Sequence, residues 1–124
     1  MTSEQQVRLV CDAMMDKKGE DIVVLDIRGM SILADYFVIC SGKSTLQVQA
    51  ISDAVDEQLE KAGVRVRRRE GYDQGRWIVL DTGDVMVHLF NFEEREFYKL
   101  ERLWMNGDNI EYINPPVKTA PLST

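Results

Sequence analysis

With 124 residues, 44% of them hydrophobic and 29% charged, the chain has the size and balance of one globular domain, and no apolar run approaches the ~20 residues of a membrane span. A formal net charge of −6 excludes broad affinity for phosphate backbones, which rests on an excess of Lys and Arg, and favours a protein or small-molecule partner. The first residues carry no basic stretch leading into an apolar one, so the expected location is cytoplasmic, with Cys11 and Cys40 as reduced core thiols.

Ser3 with Gln6 forms a capping-box pattern. Val7, Val10, Cys11, Met14 and Met15 follow at helical spacing up to Gly19, which predicts an amphipathic helix. The β-branched run from Asp21 to Ile27 alternates little and predicts a strand covered on both faces, as does "YFVICS" beyond the loop around Gly29. Ser44 with Gln47 gives a second capping box, opening the longest helix. Its expected stripe is Leu46, Ala50, Ile51, Ala54, Val55 and Leu59, ending near Gly63. That helix and the following "VRVRRRE" complete a β-α-β crossover if the two strands run parallel in one sheet.

The stretch "GRWIVLDTGDVMVHLF" reads as an antiparallel hairpin. A two-residue turn at Thr82 and Gly83 sets Trp77 opposite His88 and Val79 opposite Met86. It also sets Asp81 against Asp84, a repulsion that a longer loop would relieve. One face is then aliphatic: Ile78, Leu80, Val85, Val87 and Leu89. The other mixes Trp77, Val79, Asp81, Asp84, Met86, His88 and Phe90. Such a mixture resembles the centre of a protein interface; the equal alternative is that helices cover both faces and His88 is a satisfied core histidine.

Asn91 with Glu94 caps a third helix in which Phe97, Leu100 and Trp104 share one side, leaving Tyr98, Lys99 and Glu101 facing elsewhere. Residues 1–105 are therefore expected to form a single α/β domain. Residues 106–124, with all three prolines, are expected to form an extended or disordered tail.

No stretch carries a catalytic motif. "SGKST" sits where a phosphate loop would lie, but the glycine required five residues before Gly42 is Phe37, so Gly42 and Ser44 read as a turn and a cap. One histidine and two separated cysteines supply no metal-ligand set, and no nucleophile elbow accompanies His88. No metal or cofactor is expected. Arg65, Arg67, Arg68 and Arg69 suit a charged sheet edge, with RNA contact as the second reading.

"DYFVICSGKSTLQVQAISDAV", followed by "WIVLDTGDVMVHLF" and "REFYKLERLW", resembles the Iojap family, the ribosomal silencing factors, over roughly Val7 to Trp104. The resemblance implies an α/β fold with a mixed β-sheet flanked by helices, a nucleotidyltransferase-like sandwich. It also implies a non-enzymatic role. Such proteins bind the L-fourteen protein on the intersubunit face of the large ribosomal subunit and block joining of the small subunit, which represses translation under starvation or in stationary phase. Members can form homodimers. The competing reading is a nucleotidyltransferase enzyme, but its acidic pair is missing: the strand after the long helix reads "VRVRRRE" and the hairpin offers only Asp81. On the silencing reading the docking face is Trp77, Val79, Asp81, Met86, His88 and Phe90, extended by Tyr98 and Lys99, with peripheral contact to ribosomal RNA.

Overall fold

A computed structural model describes residues 1–113. In chain order the elements are α1 (Ser3–Asp16), β1 (Glu20–Asp26), β2 (Tyr36–Gly42), α2 (Thr45–Lys61), β3 (Arg68–Glu70), β4 (Trp77–Asp81), β5 (Val85–Asn91), α3 (Phe92–Tyr98), α4 (Leu100–Trp104) and β6 (Ile110–Tyr112). The strands form one sheet in the order β3-β4-β5-β2-β1-β6, in which β2 and β5 run parallel and every other neighbouring pair is antiparallel. This is the expected α/β sandwich with a mixed sheet. Strand β3 runs parallel to β2, so the crossover through α2 exists, but it spans β5 and β4 to reach the sheet edge.

Every residue of β2 is buried, which explains its uninterrupted apolar sequence: the strand is central and covered on both sides. On one side Val10, Cys11, Ala13 and Met14 of α1 and Val48, Ile51, Val55 and Leu59 of α2 pack onto Ile22, Val38, Leu80, Val87 and Leu89. On the other, Leu100 and Trp104 of α4 pack with Leu25, Phe37, Ile39, Met86 and Phe90. Cys11 and Cys40 are free and buried, and burial pushes both thiols up to about 12, so they remain unreactive core groups.

The structure corrects the sequence reading in α1, in α2, in the third helix and in the expected tail. Helix α1 is capped one residue earlier than expected, by a reciprocal box of Thr2 and Gln5. The cause is long-range: the Ser3 hydroxyl donates to Asp35, and Gln6 is drawn inward to Asp84 and Thr82. Within α1, Met15 is exposed and Ala13 is buried in its stead. In α2, Ser44 does cap the N–H of Gln47, but the Gln47 side chain bonds the Lys43 N–H and the Lys17 and Lys18 carbonyls rather than returning to Ser44. The buried stripe is Val48, Ile51, Ser52, Val55 and Leu59. Leu46, at 78% exposure, and Ala50 fall off it, because the 3.6-residue repeat through Ile51 turns them to solvent.

The third helix is two helices. Lys99 takes a left-handed conformation, φ 46 and ψ 50, which separates α3 from α4. The break turns Phe97 outward to 77% exposure while Leu100 remains buried, so Phe97, Leu100 and Trp104 do not form one stripe. Finally, residues 106–113 are built into the fold. The Asn109 amide donates to the Asp26 and Trp104 carbonyls, and β6 pairs antiparallel with β1, covering an otherwise open strand edge. Residues 114–124 of the expected tail lie outside the described residues.

Candidate functional site: an aromatic face on the hairpin

The hairpin pairs two residues away from the expected register. Trp77 stands opposite Phe90, Val79 opposite His88 and Asp81 opposite Met86. The turn sits one residue further on than expected: the Thr82 N–H bonds the Val85 carbonyl across Gly83 and Asp84, and the Asp81 carboxylate accepts the Gly83 N–H. The repulsive pairing of Asp81 with Asp84 disappears. Because side chains alternate with a period of two, a shift of two residues leaves the strand residues on the faces expected. Asp84, expected on the mixed face, lies in the turn instead and accepts from Gln6 of α1.

What changes is who touches whom. Trp77 stacks on its new partner Phe90 with ring centroids 4.8 Å apart, and Tyr98 from α3 lies 4.8 Å from the indole on another side. Phe97 meets Tyr98 edge-on at 4.9 Å. Deeper in, Phe37 of β2 lies against His88 at 4.7 Å and against Trp104 at 5.5 Å. The result is a band of rings across the second sheet face, graded in depth. Phe90 and His88 are enclosed, Trp77 is half-buried, and Tyr98 and Phe97 are open to solvent.

The expected site residues therefore divide. Trp77, His88, Phe90 and Tyr98 come together, with Val79 half-buried beside them. Met86 lies beneath the surface in the core of this face. Asp81 is 5% exposed and committed inside the molecule, its Oδ2 lying 3.5 Å from Arg68 and 3.9 Å from Arg67 across the β3 edge. Lys99 pairs with Glu96 at 2.6 Å. Sequence reasoning missed Phe37, which looked like strand interior, and the exposed Phe97 and Leu103, which sit on either side of the Lys99 break. No glycine or proline marks that break.

His88 has a defined protonation state. Its Nδ1 accepts the Trp77 indole N–H at 3.1 Å, so the remaining proton sits on Nε2. Burial lowers its pKa from 6.5 to about 3, and the imidazole stays neutral through the physiological range. Among the described residues no group of three or more His, Cys, Asp or Glu is placed to hold a metal ion, and no helix is long and apolar enough to cross a membrane.

A family model described as ribosomal silencing factor during starvation matches residues 1–123. The chain belongs to the ribosomal silencing factor family. A ribosomal silencing factor of Bacillus subtilis is 44% identical over 104 residues, covering 84% of this chain and 88% of that protein. One from Halalkalibacterium halodurans is 41% identical over 111 residues, covering 90% and 95%. A crystal structure of a Chromobacterium violaceum protein superposes with a TM-score of 0.83 at 32% identity, covering 88% of this chain and 92% of that one. The resemblance read from three segments is thus established, and the family match extends past Trp104 into the C-terminal residues.

In this silencing factor the aromatic band is held by a buried cation. Arg95 of α3 donates through Nη1 to the Ser41 hydroxyl at 2.8 Å and through Nε to Glu101 of α4 at 3.2 Å, tying both short helices to the end of β2. Ser41, the first residue of "SGKST", is thereby occupied. A Cβ on Gly42 would lie 2.9 Å from the Val48 side chain, so that glycine allows the start of α2 to close on the strand. The cap reading holds for Ser44, whereas Gly42, expected in a turn, is the last residue of β2 and pairs with Asn91.

Proposed function

We propose that this silencing factor represses translation by steric exclusion, docking its aromatic hairpin face on the L-fourteen protein of the large ribosomal subunit. Joining of the small subunit is then physically blocked, under starvation or in stationary phase. The observation that carries this reading is the half-buried Trp77, whose indole lies 4.8 Å from each of the Phe90 and Tyr98 rings. A large ring partly open to solvent on a rigid sheet is what a central interface anchor looks like. Such an anchor is worth ~2 kcal/mol or more, about thirtyfold in affinity. Val79, Tyr98 and Lys99 extend the face, while Asp81, Met86, His88 and Phe90 support it from below.

The reading is non-enzymatic and cytoplasmic. The histidine is enclosed and neutral, and the hairpin's Asp81 is paired with arginines, so neither is free for acid-base or metal-assisted chemistry. Arg65, Arg67, Arg68 and Arg69 lie on or beside the β3 edge, and contact with ribosomal RNA is peripheral to docking. The same aromatic face serves homodimerisation, so the two associations compete, and an intact dimer found on the subunit would refute that competition.

The test is co-sedimentation with isolated large subunits, followed by a joining assay. Wild type binds and lowers the yield of joined ribosomes. Trp77→Ala folds normally, binds at least tenfold more weakly and no longer blocks joining, whereas Leu46→Ala, on exposed α2, behaves as wild type. Undiminished binding by Trp77→Ala sinks the site.

A further inference from the structure

An indole N–H at a protein interface ordinarily seeks an acceptor on the opposing surface, because leaving it buried and unpaired is costly. In this chain that donor is already used. The Trp77 N–H is turned into its own sheet, toward the Nδ1 of His88, which lies diagonally across the β4-β5 ladder because Trp77 pairs with Phe90 and Val79 with His88. Three groups thus restrain the ring: Phe90 by stacking, Tyr98 at another side, and His88 through the only polar atom the indole has.

His88 is an odd choice for packing alone. Its Nε2 is, among the described residues, a buried side-chain nitrogen with no hydrogen-bond partner, and Phe37 lies edge-on to the imidazole at 4.7 Å. A phenylalanine or leucine would fill the space without that orphan, and a buried unpaired group in a native fold calls for a reason. The reason visible in the geometry is the acceptor on the other side of the imidazole.

We propose that His88 is a positioning residue that fixes Trp77 as an apolar anchor, so the surface receiving Trp77 presents an apolar pocket with no hydrogen-bond acceptor for the indole. This rests on the docking reading above and adds the chemistry of the partner pocket. It moves His88 from the contact surface to the layer behind it. Arg95 and Glu101, of the short helices that cover this face, are bonded to Ser41 and to each other, and the polar partner of the indole is the neutral imidazole.

The test uses the full ¹⁵N-labelled chain, whose two indole signals are told apart by Trp104→Phe. In wild type the Trp77 indole N–H exchanges with solvent roughly tenfold or more slowly than a free indole. His88→Phe abolishes that protection and weakens large-subunit binding roughly fivefold, the loss expected for one hydrogen bond. His88→Asn, which keeps an acceptor near the Nδ1 position, restores part of both. In a Trp77→Phe background, which has a ring but no donor, His88→Phe has no further effect on binding, an outcome that a merely structural histidine would not give.

Fast exchange in wild type overturns the proposal, as does His88→Phe binding like wild type after losing the protection. Should His88→Phe fail to fold, wild-type exchange and the Asn variant still decide it. Failure of the wild type to bind large subunits overturns the docking reading and the pocket inferred from it. Indole exchange then separately supports or overturns the hydrogen bond.

Discussion

Along β5 consecutive side chains enter two different environments. Val85, Val87 and Leu89 lie beneath α1 and α2, while Met86, His88 and Phe90 lie almost as deep on the opposite face. Burial does not separate the two faces; their covers do. The first is sealed by helices of 14 and 17 residues. The second has helices of 7 and 5 residues, broken at a left-handed Lys99, and its rings run from fully enclosed to open. An aliphatic face under long helices serves stability, and a thinly covered aromatic face is the one expected to open first.

The sharpest way to break that comparison is to cut into the sealed face. Leu89→Ala removes a side chain at 1% exposure and should cost about 3 kcal/mol in urea unfolding, with binding by the folded protein unchanged. A loss below about 1 kcal/mol would mean that this face is looser than its packing implies.

Arg95→Ala tests the latch on the other face. It leaves Ser41 without its donor and Glu101 without its partner, and should cost about 2 kcal/mol. Hydrogen exchange should show protection lost first over residues 92–104; a uniform loss would argue that the two faces are not separable.

A third prediction concerns acid. Burial lowers the His88 pKa to about 3, whereas the unfolded chain takes up that proton near 6.5. The stabilisation is therefore complete above pH 6.5 and falls as the pH drops toward 3. Wild type should lose about 1.5 kcal/mol between pH 6.5 and 5, and His88→Phe should not show this loss. Parallel stability curves for the two proteins would contradict the assignment.

The smallest effect is expected at the rim. Phe97→Ser, at 77% exposure, should change stability by less than about 0.5 kcal/mol. Its effect on large-subunit binding then reports whether the docking face reaches past Tyr98.

Much of this contrast is legible in the residues. The apolar runs of β1 and β2 announce strands buried on both sides, Ser44 and Asn91 cap the helices they precede, and the alternation from Trp77 to Phe90 sorts the two faces. That sorting survives a register error of two residues because the strand period is two. The cap at Ser3 was misplaced because Ser3 and Gln6 bond residues tens of positions away. Strand β6 was hidden because its three residues are strand only where β1 offers an open edge. The break at Lys99 has no glycine or proline to signal it; Arg95, fixed to Ser41 and Glu101, spans it instead.

The sequence by itself determined the α/β class and the two-faced chemistry of the hairpin, which follow from local periodicity and residue type, while the mixed sheet came only as what the family resemblance implies. Tertiary structure alone decided which rings meet, that Trp77 gives its only donor to His88, and that Phe97 turns outward while Leu100 turns in. Those outcomes depend on ladder register, a turn displaced by one residue and a left-handed residue, and a change of a few ångströms in any of them would exchange one neighbour for another while leaving the pattern of the sequence untouched.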